Sequence, residues 1–71
     1  MQISGTVTYI NLSGGFWGIK GDDGQKYNPL DSLPTKFKKE GLKVSAEVSH
    51  SNAFSVFMWG RNVDIKKIEK K

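Results

Sequence analysis

A small all-β barrel is the fold class this sequence predicts, on three observations. Apolar and polar residues alternate strictly from Leu42 to Ser49 and largely from Ile3 to Ile10, which is the period of a half-buried strand. Gly21-Asp22-Asp23-Gly24 then reads as a tight hairpin turn, because Asp and Gly tolerate the positive φ that such turns require. The third observation is size: 71 residues, no cysteine and one histidine. A chain this short has a thin core, and neither disulfides nor a structural metal can staple it. Closing the sheet on itself remains, since closure pairs the backbone groups that an open edge exposes.

The elements follow in order. Ile3, Gly5, Val7 and Tyr9 share one face of the first strand, and Ser4, Thr6 and Thr8 the other. Asn11, Ser13, Gly14 and Gly15 break it. Phe16 to Lys20 is the second strand. Gln25 to Asn28 is the third, stopped at Pro29, which cannot donate to a ladder. From Asp31 to Gly41 the pattern predicts one short helix, in part 3₁₀, that plugs an end of the barrel. Ser32 is its cap, Pro34 falls in its first turn, and Leu33 and Phe37 share a face. Leu42 to Ser49 is the fourth strand, and His50 to Ala53 the next turn. Phe54 to Trp59 reads as the fifth strand. Val63 and Ile65 extend it, or form a sixth, after a break at Gly60-Arg61-Asn62.

Three meandering strands, a helix and two further strands make the order of a five-stranded OB-type barrel. An SH3-like barrel is the alternative, with as many short strands but no full helix at this point. The length allows one domain over residues 1–71, with a basic C-terminal tail from about residue 66.

Gly5-Thr6-Val7-Thr8-Tyr9-Ile10-Asn11 resembles the opening strand of the cold-shock family of OB folds. Gly15-Phe16-Trp17-Gly18-Ile19 falls where that family carries its first ribonucleoprotein motif, and Asp22-Asp23-Gly24 falls on its hairpin turn. The family's motif has two phenylalanines separated by a glycine, whereas here Gly18 holds the second stacking position. Its second motif is replaced by Lys26-Tyr27-Asn28-Pro29-Leu30, and the lysine before the first motif by Gly14. The resemblance therefore implies two stacking residues, Tyr9 in a tryptophan slot and Phe16 in a phenylalanine slot. Along nearly the whole chain, Gly14 to Ile19, Tyr27-Asn28-Pro29, Leu33-Pro34 and Met58-Trp59-Gly60 resemble a group of small prokaryotic OB-fold domains without an assigned activity, some of them exported. That likeness implies the fold and brings no site residues.

The formal net charge of +4 favours anionic partners. Lys66, Lys67, Lys70 and Lys71 contribute much of it. The start of the chain reads as neither signal peptide nor membrane span, so a cytoplasmic protein with no membrane partner is expected. A chain trimmed from an exported precursor would look the same.

No catalytic constellation is legible, and an enzyme is not expected. His50 stands in a Ser-His-Ser-Asn turn with no carboxylate beside it. Asp22 and Asp23 are the only adjacent acids, and neighbours in a tight turn point apart and stay hydrated. Gly14-Gly15 precedes a strand, so it is not a phosphate-cradling loop. No metal or cofactor is expected.

The aromatics carry the functional expectation. In the second strand Phe16 lies on one face, with Trp17 and Ile19 on the other. In the expected fifth strand Phe54, Val56 and Met58 oppose Phe57 and Trp59. A barrel buries one face of each strand, so some rings lie outside. Tyr9, Phe16 and Tyr27 would form a stacking platform, since every base has a π-face. Lys20, Lys26 and Arg61 would contact phosphates. The expected function is a non-catalytic OB module that binds single-stranded RNA or DNA weakly and with little sequence preference. Trp17 and Trp59 are expected to be buried under the helix and adjacent loops rather than to stack. The alternative function is a protein-interaction or structural module, in which the other aromatics are core too or anchor a partner. Lys36, Lys39 and Lys43 form a basic ridge along the helix into the fourth strand, partly compensated by Glu40. The expected role of that ridge is a solvated face rather than a dedicated anion site.

Overall fold

Alternation and turn chemistry place five strands in the computed structural model, which describes residues 1–12, 14–30, 32–51 and 59–71. They are β1 (Gln2–Ile10), β2 (Phe16–Gly21), β3 (Lys26–Asn28), β4 (Lys43–His50) and β5 (Arg61–Lys70), with a 3₁₀ turn at Thr35–Phe37. They close into a barrel in the order β1-β2-β3-β5-β4. The closing pair β3–β5 is parallel, and the other four pairs are antiparallel. This is the expected OB-type order, in which the long return through β4 brings β5 back beside β3.

The interior follows from the alternation. Ile3 and Val7 of β1, Ile19 of β2 and Val44, Ala46 and Val48 of β4 are buried. Between them lie Ser4, Thr6 and Thr8 of β1 and Lys43, Ser45 and Glu47 of β4, all at least partly exposed. The turn after β2 forms as its residues dictate. Gly21 N–H donates to the Gln25 carbonyl at 2.7 Å, and Asp23 Oδ1 accepts from Gln25 N–H at 2.9 Å. Asp22 and Asp23 are turn residues.

Three expectations need correction. The helix after β3 contracts to Thr35–Phe37. Pro34, at its start, is extended (ψ 146°), and no side chain caps the turn. Ser32 does not cap because its hydroxyl ties the loop to the barrel instead: Oγ donates to the Pro29 carbonyl and accepts from Ile65 N–H. Leu33 and Phe37 still enter the core together and plug the barrel. The second correction concerns the break expected at Gly60-Arg61-Asn62. Arg61 and Asn62 already belong to β5, Arg61–Lys70, whereas residues 54–58 of the expected fifth strand lie outside the described residues. Third, the lysines expected in a tail are strand residues. Lys66, Lys67 and Lys70 belong to β5, because Ile65 and Ile68 beside them pack against the core. His50 is also strand, opposite Val63 at the end of β4. Among the described residues no helix is long and apolar enough to cross a membrane.

Candidate nucleic-acid interface

Strand register decides which side chains share a surface, because residues paired across a ladder point to the same side. On β1 and β2 the pairs Val7↔Ile19 and Tyr9↔Trp17 take the inward side. Thr6↔Lys20, Thr8↔Gly18 and Ile10↔Phe16 take the outward side. Across β2 and β3, Ile19↔Tyr27 is inward and Lys20↔Lys26 outward. Two lysines therefore stand directly opposite each other on the outer surface, both exposed.

Trp59 completes that surface from far along the chain. Gly60 turns the backbone with φ 67°, and a Cβ there would stand 2.8 Å from the Lys26 carbonyl carbon. Only glycine allows this close approach in that conformation. The Trp59 ring consequently lies over Gly18. A Cβ on Gly18 would stand 2.5 Å from Trp59 Cη2 and 3.3 Å from Ile10 Cγ1. Phe16 meets the same ring edge-to-face, with centroids 5.6 Å apart and planes at 73°. The Lys26 ammonium lies 5.8 Å from the ring centroid, within cation–π range. Trp59 is 9% exposed.

Phe16, Trp59, Lys20 and Lys26 are thus brought together, and the other expected residues are placed elsewhere. Tyr27 is 3% exposed and presents no ring face, because its partner Ile19 lies in the core. Its hydroxyl donates to Asp23 Oδ2 at 2.9 Å. Burial raises the Tyr27 pKa, and the Asp23 hydrogen bond raises it further. Arg61 pairs with Tyr27 in the parallel register, so it shares the Tyr27 side rather than that of Lys26. Its charge helps to hold Asp23 low, after the larger effects of the Gln25 N–H and the Tyr27 hydroxyl. Tyr9 is exposed, at 46%, yet it lies on the opposite side of the ladder from Phe16. Its ring meets Trp17 edge-to-face at 5.3 Å, and Trp17 is half-buried against the core. Tyr9 and Phe16 do not form one platform.

Glu40 was not legible as part of this region. Its Oε1 accepts from Tyr9 N–H and its Oε2 from the Thr8 hydroxyl, both at 2.8 Å. The pairing of β1 with β4 reaches only Thr6↔Lys43, and Glu40 serves the β1 edge beyond it. The Tyr9 N–H holds the Glu40 carboxylate below the usual range, with Thr8 and the Lys20 charge adding to the effect. No local spacing announces a contact between residues 31 apart.

Among the described residues, no group of three or more His, Asp or Glu stands together to hold a metal ion. Comparison with models of protein families, with curated proteins and with solved structures finds no match to this chain.

Proposed function

We propose that this barrel is a non-catalytic module that binds single-stranded RNA or DNA, weakly and with little sequence preference, on the outer face of β1–β2–β3. One observation carries the reading: Lys20 and Lys26 are paired directly across a ladder beside the Phe16 and Trp59 rings. Like charges directly opposite destabilise a sheet, and neither lysine makes an ion pair among the described residues. A phosphate between them turns that repulsion into two attractions, and the half-buried Phe16 ring beside it, backed by the buried Trp59, offers aromatic surface to a base. The resemblance to the cold-shock family supports the same face. Phe16 holds the first phenylalanine position of the family's motif, and the Trp59 ring fills the space above Gly18, where the second would stand.

Titrating the protein with a short single-stranded oligonucleotide, followed by tryptophan fluorescence, tests the proposal. Saturable quenching at low salt that weakens as salt rises is expected. Binding that does not change between low and moderate salt would sink the mechanism. A second reading, a protein-interaction module, draws on Tyr9 and Leu12, exposed at 46% and 48% on either side of the start of the β1–β2 turn. No spectral change with any oligonucleotide would favour that reading.

A further inference from the structure

Across the barrel, three registers line up at one level. Lys26 of β3 faces Lys20 of β2, Lys20 faces Thr6 of β1, and Thr6 faces Lys43 of β4. The four residues come from four strands, and nothing in their sequence spacing marks them as a set. Paired residues share a side, so they form one transverse row on the outer surface. With neighbouring strands about 4.8 Å apart, the row spans about 14 Å of backbone. Its three lysines are exposed and Thr6 is partly so.

Acidic groups flank this row without entering it. On one side the Glu40 carboxylate is held at Thr8 and Tyr9. On the other, Asp22 N–H bonds to the Ser4 carbonyl. The row ends at Lys43. The next residue across, Lys71, bonds through its backbone to Lys43, but its ammonium turns to Asp22 at 3.3 Å. A polyanion lying along the strands would pass from lysine to carboxylate. One lying across them meets three ammonium groups and a hydroxyl in succession.

We infer that Lys26, Lys20, Thr6 and Lys43 form a phosphate track that carries a bound single strand across the strands, from the Trp59 edge at β3 over β1 onto β4. The inference rests on the nucleic-acid reading of the same face and adds a path, a direction and a fourth strand to it. The half-buried Phe16 ring, packed on Trp59 beside the Lys26 end, distinguishes a nucleic acid from a polyanion without rings. Lys20 and Lys26 neutralise backbone charge beside the rings, Thr6 donates a hydroxyl hydrogen bond, and Lys43 holds the strand where it leaves the β1–β2–β3 face.

The decisive residue is Lys43, which lies outside the aromatic patch. Its test compares Lys43→Gln with Lys66→Gln, which removes the same charge from the exposed β5 position between Ile65 and Lys67. The oligonucleotide affinity of each is measured over a series of salt concentrations, after a melting curve confirms the fold. Lys43→Gln should weaken binding on the order of 5-fold at 50 mM salt, and flatten the log affinity–log salt slope by roughly 0.7, the share of one phosphate on a single strand. The loss should not depend on base sequence. Lys66→Gln should leave the slope unchanged. Equal effects of the two substitutions on a wild type that binds would overturn the track and leave the proposed function standing. No binding by the wild type would remove both. Binding of heparin with the same dependence on Lys43, but not of oligonucleotide, would overturn the nucleic-acid track in favour of an acidic polysaccharide.

Discussion

The two outer sides of this barrel manage charge differently. On the β4–β5 side opposite signs are interleaved: Glu47 faces Lys67 across the ladder, and Ser45 faces Glu69. The N-terminal ammonium lies 3.2 Å from Glu47, and Gln2 Nε2 donates to Ser45 Oγ at 2.7 Å. Glu47 there lies between two cations, the N-terminal ammonium and the opposing Lys67. On the β1–β2–β3 side Lys20 faces Lys26, and Lys43 joins their row through Thr6. Both sides are built on one core, so packing does not explain the contrast. Exposed ion pairs contribute little to stability, so the compensated side is chiefly a solubility device. The Lys20–Lys26 side keeps two like charges opposite each other, offset in part by the nearby Glu40 carboxylate, and an external anion would remove the remaining cost. That is why the functional reading belongs there, although the lysine-rich end of the chain lies in β5.

The largest expected effect comes from breaking the aromatic half of the Lys20–Lys26 side. Gly18→Val places a side chain where the Trp59 ring lies and should cost about 1–3 kcal/mol through overpacking. In a Trp17→Phe background, Trp59 emission should shift to the red as the ring is displaced, and oligonucleotide quenching should disappear. Unchanged emission would mean that the ring does not cover Gly18.

A smaller effect should follow acidification. Glu40 has a folded-state pKa below its unfolded value. Its contribution is therefore fully present above the ordinary carboxylate pKa of about 4.3, and it is lost as pH falls through the lower folded value. Glu40→Gln should lower stability at neutral and alkaline pH by an amount that shrinks as pH falls, and so flatten the acid limb of a stability–pH curve. An acid limb identical to that of the wild type would show that Glu40 does not hold the β1 edge.

The smallest effect sharpens the contrast from the compensated side. Lys67→Gln should change stability by less than about 0.5 kcal/mol and leave the salt dependence of oligonucleotide binding as in the wild type. A flattened slope there would mean that anion binding follows net charge rather than the outer row.

Much of the fold was legible because its causes are local. Alternation marked β1 and β4, Pro29 ended β3, and Asp-Asp-Gly marked the hairpin. The spacing of Leu33 and Phe37 marked a plug even though the helix around it contracted to one 3₁₀ turn. The candidate site was legible in composition but not in arrangement. Phe16, Lys20 and Lys26 were recognised and do come together. Tyr27 carried the same sequence signal as an exposed aromatic, and pairing with Ile19 buried it. Arg61 and Tyr9 lie on other sides because the pleat reverses with every residue.

By itself, the sequence determined an all-β chain, the meander of the first three strands and the identity of most inward residues, since period and turn chemistry act over a few residues. Only the tertiary structure decided that Trp59 covers Gly18, that Glu40 holds Tyr9, and that Lys26, Lys20, Thr6 and Lys43 share one level. Those juxtapositions depend on the register between distant strands. That register is set when the barrel closes, by the requirement that every inward side chain reach one core at once.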